Sequence, residues 1–354
     1  MYKKILSILV AVAIIFSFSV SVSADKRSPN YYTDGFSASE KAVFERVREA
    51  VLACEPSVKI TAVNETRAEL IGRIGNALLF YDPYTWNLKN LRYTSSGNSV
   101  TIEFTYLKEY DDFVIMQGEI DTAVRGVLED VAGQSILTKL RYIHDFVVQN
   151  SEYDLEDELS GTPYYPLLGG SAKCDGYALA FQMLCQNAGI PCVTAISYPD
   201  SEAAAEYNIG HAWNKIKVGN NWYNIDCCLD DTTLPGGVYC YDYYMLSDNE
   251  MGSIHKEWDD PFVSEPAASN TLNGFYEVKK LTASTVSGAR ALIRQQIDDS
   301  DMPAASVEIP DIGVMEDFIR LVKSDGVKAF GLGGESYEAY VNPERRVVHI
   351  IITD

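Results

Sequence analysis

Two periodicities alternate along this chain. Leu70, Ile71, Ile74, Ala77 and Leu78 recur at helical spacing. Val58-Lys59-Ile60-Thr61-Ala62 instead alternates in twos, like a half-buried strand. Upstream, Ser37-Ala38-Ser39-Glu40 has the form of a capping box and predicts a helix running to about Cys54. Asn64 is placed to cap the second helix and Pro83 to end it. Leu91 to Thr94 and Val100 to Tyr106, joined through Ser95-Ser96-Gly97-Asn98, read as a hairpin. The order is α-β-α-β-β.

The same order returns near the C-terminus. A helix spans about Ala283 to Ile297, a strand Val307-Glu308-Ile309 and a second helix about Ile312 to Ser324. A hairpin of Tyr337 to Val341 and Val347 to Ile352 follows, turned through Asn342-Pro343-Glu344-Arg345. The Gly331-Leu332-Gly333-Gly334 cluster leads into a strand rather than a helix, which excludes a phosphate loop. The two blocks predict an α+β protein with a small α+β domain on either side of a centre.

In that centre, Leu137, Leu140, Ile143, His144 and Val147 fall at helical spacing. His144-Asp145 has no further ligands nearby at metal spacing, so His144 reads as a packed helical histidine. Tyr153 to Pro166 reads as a polar, tyrosine-rich loop, and Pro261 to Asn270 as a linker. At the N-terminus Lys3-Lys4, an apolar run from Ile5 to about Val22 and the small residues Val22-Ser23-Ala24 predict a secretory signal peptide cut after Ala24. An uncleaved N-terminal anchor is the alternative. No other apolar run is long enough to cross a bilayer, so no stable membrane span is expected after cleavage. The expected division is a signal peptide over 1–24, an N-terminal accessory domain over 25–111, a central domain over 112–267 and a C-terminal accessory domain over 268–354.

The net charge is −21, and loss of Lys3 and Lys4 with the signal moves it to −23. Such a surface disfavours nucleic acid and anionic lipid and suits solubility outside the cell. The seven cysteines lie at 54, 174, 185, 192, 227, 228 and 240, an odd number in a chain read as exported. With Cys174 set aside, the other six allow fifteen full pairings or none, as buried small hydrophobes. Cys185 and Cys192 are too widely spaced for a zinc signature and no histidine pair follows. No cofactor and no metal are expected.

The candidate chemistry lies in three short segments. Gly170-Ser171-Ala172-Lys173-Cys174-Asp175-Gly176-Tyr177 comes first, then Gly210-His211-Ala212-Trp213-Asn214, then Trp222-Tyr223-Asn224-Ile225-Asp226. A thiol acts as a nucleophile when ionised, which calls for a base, and the base for an orienting acceptor. Tyr177, Phe181, Leu184, Cys185 and Ala188 have helical spacing, so Cys174 is placed at a helix start. There the peptide dipoles and the open N–H groups favour a thiolate and a developing oxyanion. His211 to Val218 reads as a strand that turns through Gly219-Asn220 and returns antiparallel. If Val218 faces Asn221, Asp226 falls opposite Trp213 and diagonal to His211 on one face, within reach of it. A slip of one residue would put Asp226 on the other face.

These segments resemble the transglutaminase-like superfamily, through Gly169 to Ala180, Gly210 to Lys217 and Asn221 to Asp231. Ile143-His144-Asp145-Phe146 and Tyr241 to Asp248 also resemble elements of its bacterial secreted members. The resemblance covers about 135–260. It implies a papain-like core with Cys at a helix start and His and Asp on adjacent strands. It further implies Cys174 as nucleophile, His211 as acid/base and Asp226 as its orienter, acting on a protein or peptide substrate that is extracellular or associated with a cell wall. Leu229 stands where related proteins usually carry Trp, and Cys227-Cys228 is unusual; both bear on the acceptor pocket. Hydrolysis by a peptidase or deamidase is the favoured outcome over amine transfer by a cross-linking transglutaminase. A cell-surface binding scaffold around a retired catalytic core is the competing reading.

Overall fold

A computed structural model describes residues 31–61, 67–197, 210–234, 238, 240–251, 266–269, 273–299, 304–331 and 336–353. The signal segment, Asn64 and most of the 261–270 stretch lie outside the described residues.

The N-terminal block begins with helix α1 (Ala38–Leu52), closed by the reciprocal Ser37–Glu40 capping box. Strand β1 (Ser57–Thr61), helix α2 (Arg67–Asn76), a π-helical turn over Ala77–Tyr81, β2 (Leu88–Ser96) and β3 (Ser99–Tyr106) follow. Alternation does the sorting. Val58 and Ile60 of β1 and Val100, Ile102 and Phe104 of β3 point into one core with Phe44, Val47, Ile71 and Ile74. The hairpin loop is tighter than the expected four residues. Ser96 already pairs with Ser99, and Gly97 takes the positive φ of 59° that the turn requires.

The central block contains α3 (Tyr110–Asp130), α4 (Ile136–Gln149), β4 (Ser151–Tyr153), α5 (Tyr164–Leu168), β5 (Gly170–Ala172) and α6 (Cys174–Asn187). After these come β6 (Cys192–Ser197), β7 (His211–Val218), β8 (Asn221–Ile225), α7 (Cys227–Thr233), β9 (Tyr244–Leu246), α8 (Asp248–Met251) and α9 (Phe275–Lys279). Strands β6-β7-β8-β9 form an antiparallel sheet in sequence order. Helix α6 is buried at every residue from Gly176 to Gln186, a stretch without a charge. A helix apolar on all sides belongs in the middle of a core. Its polar members are satisfied: Gln182 donates to the Tyr81 carbonyl and accepts from Thr194, and Ala178 accepts from Asn214 of β7. The 153–166 stretch is less irregular than the sequence implies, because β4 pairs in parallel with β5 and Tyr164 to Leu168 turns as a helix.

The C-terminal block contains α10 (Val286–Asp299), β10 (Ala304–Glu308), α11 (Ile312–Asp325), β11 (Ser336–Asn342) and β12 (Val347–Thr353). Its sheet order, β10-β12-β11, matches the β1-β3-β2 order of the N-terminal block: in each, the third strand lies between the first and second. Among the described residues, no helix is long and apolar enough to cross a membrane.

The C-terminal hairpin meets the centre at Asp242. Its carboxylate accepts from Tyr276 at 2.6 Å, Asn342 at 2.9 Å and His349 at 3.0 Å, while Arg345 donates to the Asp242 carbonyl at 2.8 Å. Despite burial, His349 and the other donors hold the Asp242 carboxyl below its ordinary range. Asp242→Ala strands three buried donors together, so we expect a loss of about 3 kcal/mol, read as a lower urea midpoint in equilibrium unfolding.

Candidate active site

Cys174 is the first residue of α6. Lys173 caps that helix with an extended backbone and no side-chain hydrogen bond. Helix geometry leaves the N–H groups of Cys174, Asp175 and Gly176 without intrahelical acceptors, facing the half-buried thiol's surroundings. Gly176 explains how the turn lies so close to its neighbours: a Cβ there would land on the Ser160 carbonyl oxygen. The loop before the helix is thus threaded against the helix start, and only glycine fits.

His211 opens β7. Val218 pairs with Asn221 across Gly219-Asn220, and Asn214 pairs with Ile225, the register the sequence predicts. Positive φ falls on Gly219, at 62°. Continuing that register puts Asp226 on the face of His211 and Trp213, whose rings stack 6.3 Å apart at 14°. The His211 Nε2 meets Asp226 Oδ2 at 2.5 Å. The thiol of Cys174 lies 3.6 Å from Asp175 Oδ1 and is also near enough to His211 to support its positive charge. The structure therefore brings all three sequence-predicted residues together. Burial opposes charge on His211, but the Asp226 carboxylate and the Cys174 thiol outweigh it and hold its pKa up at about 10.

Asp226 has a second task. It is the N-cap of α7, and its Oδ1 accepts the Leu229 N–H at 2.9 Å. Both carboxylate oxygens are thus directed, one by the helix and one by the imidazole, inside a site where the Asp226 side chain is fully covered. Leu229, in the position the resemblance marks as divergent, packs with Trp213 and Tyr243 beside this carboxylate. The His211 side chain keeps 18% exposure, so the thiol–imidazole contact borders solvent.

Sequence reasoning missed the residues around α7. His144 is packed in its helix, as expected, but it also contacts Asp230 at 2.9 Å and Asp145 at 3.0 Å. Tyr177, one turn along from Cys174, donates to Asp231 at 2.5 Å. The Asp230-Asp231 pair following Asp226 was the available signal, since adjacent acids in a mostly buried helix need partners. A further cluster lies behind them. Cys240, Asp242 and His349 bring a thiol, a carboxylate and an imidazole within 4.8 Å of one another, donors of the kind a metal ion takes. Asp242 Oδ2 already accepts two hydrogen bonds and Oδ1 a third, which closes the cluster as a hydrogen-bond knot.

Comparison with known proteins finds similarity over the same segment. Residues 125–227, which include Cys174, His211 and Asp226, match the family described as transglutaminase-like superfamily. The kyphoscoliosis peptidase of Mus musculus is 25% identical over 182 residues, and that of Homo sapiens 25% over 179. Each match takes in 46% of this chain and 26% of the relative, so the matched part spans about a quarter of the length of these curated relatives. A solved transglutaminase (TGase) is 12% identical over 48% of this chain and 50% of its own, with a TM-score of 0.27, too slight a likeness to define the fold. By the matching family and its peptidase relatives, the central segment of this chain is similar to the transglutaminase-like superfamily.

Proposed function

We propose that this chain is an exported cysteine acyl-transfer enzyme that opens peptide or side-chain amides and passes the acyl group chiefly to water. One observation carries the reading: a helix-start thiol neighbours His211, which is hydrogen-bonded to a covered carboxylate. In this reading Cys174 Sγ attacks the amide carbonyl carbon, and its proton resides on His211. The N–H groups of the first turn of α6 face the developing oxyanion. The C–N bond breaks as His211 delivers the proton to the leaving amine, leaving a thioester on Cys174. Water then attacks the thioester, gives its proton to His211, and releases the acid and the thiol. Asp226 holds the imidazole in place and offsets its charge.

Solvent at the edge of His211 favours hydrolysis, since transfer to an amine requires water to be kept from the thioester. The strongly acidic chain favours basic protein substrates on the outer side of a membrane. In the same proposal the blocks at 25–111 and 268–354 are accessory domains around a catalytic domain at 112–267. Each block has its own hydrophobic core.

Cys174→Ala is expected to abolish turnover while leaving the thermal unfolding curve in place. His211→Ala should cost about 10⁴-fold in kcat, and Asp226→Asn less, because Asp226 orients rather than reacts. A continuous assay on a fluorogenic peptide amide reads all three, and an active Cys174→Ala protein would remove the assignment.

The pH dependence follows from His211. Its pKa is about 10 in the folded protein and near 6.5 unfolded, so the folded state binds the extra proton. Its stabilising contribution is complete below about pH 6.5 and fades as pH rises to about 10. The same proton is the one delivered to the leaving amine. Initial rates are therefore expected to fall through about pH 10, with urea midpoints declining over the interval before it.

Acceptor choice is tested by mass spectrometry of a glutamine-containing protein incubated with the enzyme and a primary amine. We expect cleavage or deamidation dependent on Cys174. Predominant amine incorporation would make the protein a cross-linking transglutaminase instead.

A further inference from the structure

Helix α7 carries a second imidazole–carboxylate couple one turn beyond the first. Asp230 is fully buried, and its N–H donates to the Asp226 carbonyl at 3.1 Å. Its Oδ1 accepts the Tyr243 N–H at 3.0 Å, while the Tyr243 carbonyl accepts the Asp226 N–H at 3.0 Å. Tyr243 is therefore stitched to both aspartates, and the stitch fixes where the Asp226 backbone lies. Asp230 Oδ2 meets His144 Nε2 at 2.9 Å, and His144 Nδ1 meets Asp145 Oδ1 at 3.0 Å. The His144 ring has no exposure and is enclosed by Tyr241, centroids 5.2 Å apart, and Tyr244, 5.1 Å.

We propose that Asp230 and His144 are positioning residues of the thiol site, holding α7 so that Asp226 meets His211 at hydrogen-bond distance. The inference rests on the acyl-transfer reading above, in which Asp226 orients His211.

The chemistry of the couple supports this. A ring whose two nitrogens both face carboxylates donates to both only as imidazolium. Burial works against that charge, but the hydrogen bonds and charges of Asp145 and Asp230 raise the His144 pKa to about 9. The other groups facing the pair are Arg141 on the same helix, the Tyr241 and Tyr244 rings, and Asp242 and Cys240 on the Asp230 side. Burial raises Asp230 to about 6 even with His144 beside it, so the couple is most fully ionised midway between those two values. Inside that window α7 is tied to α4, the helix of His144, by a charged hydrogen bond, and through Tyr243 to the segment leading into β9.

Two variants separate positioning from folding. Asp230→Ala removes both acceptors. Asp230→Asn keeps one for the Tyr243 N–H and turns its amide towards His144, an arrangement that needs neutral His144. Two readouts apply: kcat and KM on a peptide amide, and the rate of Cys174 carboxymethylation by iodoacetamide against pH, with thermal unfolding as the control. For Asp230→Ala we expect kcat to fall about 10- to 100-fold with KM within about twofold, as for a slight misplacement of a reacting group, and alkylation at pH 6 to slow in step. For Asp230→Asn we expect recovery at pH 8 and loss at pH 6, where protonated His144 would face the amide donor. That acid-side loss is a signature a merely structural residue would not give, and it decides the matter if Asp230→Ala fails to fold. Rapid Cys174 alkylation in wild type with no change in either variant overturns the inference and leaves the acyl-transfer reading intact. Wild-type Cys174 reacting no faster at pH 6 than a free thiol overturns both. Rapid wild-type alkylation without amide turnover overturns only the acyl-transfer reading, because the alkylation profiles still judge the positioning.

Discussion

A buried carboxylate needs donors; Arg48 meets that need for Asp82, and histidine meets it for three aspartates of the central block. Each of the three histidines among the described residues lies within 3.0 Å of an aspartate whose side chain is fully covered: His211 with Asp226, His144 with Asp230, and His349 with Asp242. An unpaired ion in such places would cost several kcal/mol. The chain has 50 acidic residues and 29 Lys and Arg, so acid is plentiful and fixed positive charge scarce. Histidine suits the role because it is partly apolar and donates from either ring nitrogen. Burial lowers the charge it carries, the neighbouring carboxylates restore it, and in the two couples on α7 the carboxylates win.

The three couples are joined by backbone as well as by charge. Asp226 and Asp230 sit one helical turn apart on α7, and Tyr243 hydrogen-bonds to both. Asp242, next to Tyr243, is held by Asn342, Arg345 and His349 of the C-terminal hairpin. A seven-residue helix has little stability of its own. Here α7 is tied by Asp226 to β7, by Asp230 to α4 and by Asp231 to Tyr177 of α6. The thiol-bearing helix and the carboxylate-bearing helix are consequently bonded to each other away from the reacting atoms.

The pattern of what was legible in the sequence follows from the range of each interaction. Cys174, His211 and Asp226 could be placed because local signals fix them: an apolar helical run after Cys174, and a Gly219-Asn220 turn that sets the register of the return strand. The α-β-α-β-β order of both end blocks was legible for the same reason, since strand alternation and capping are local. His144–Asp230 spans 86 residues and His349–Asp242 spans 107, and no periodicity encodes which elements meet. The helix at Tyr164 to Leu168 was read as loop because its five residues carry too little repeat to register. Asp226 as the cap of α7 was hidden because Cys227 to Thr233 presents no apolar stripe.

What distinguishes His211 from the other two is access and company rather than the strength of its pairing. His144 and His349 have 0% and 3% side-chain exposure; His144 lies between two carboxylates and two tyrosine rings, and the thiol near His349, that of Cys240, is buried with it. His211 has the same kind of aspartate behind it, but it also neighbours a thiol at a helix start and its edge reaches solvent. In the proposed reading, one such couple becomes reactive because its neighbouring thiol stands at a helix start and its edge reaches solvent. On that view the proposed catalytic arrangement is a modest variant of a structural motif the fold uses three times. The closed His144 couple shows what the open one would be without Cys174: a well-satisfied histidine holding a core together.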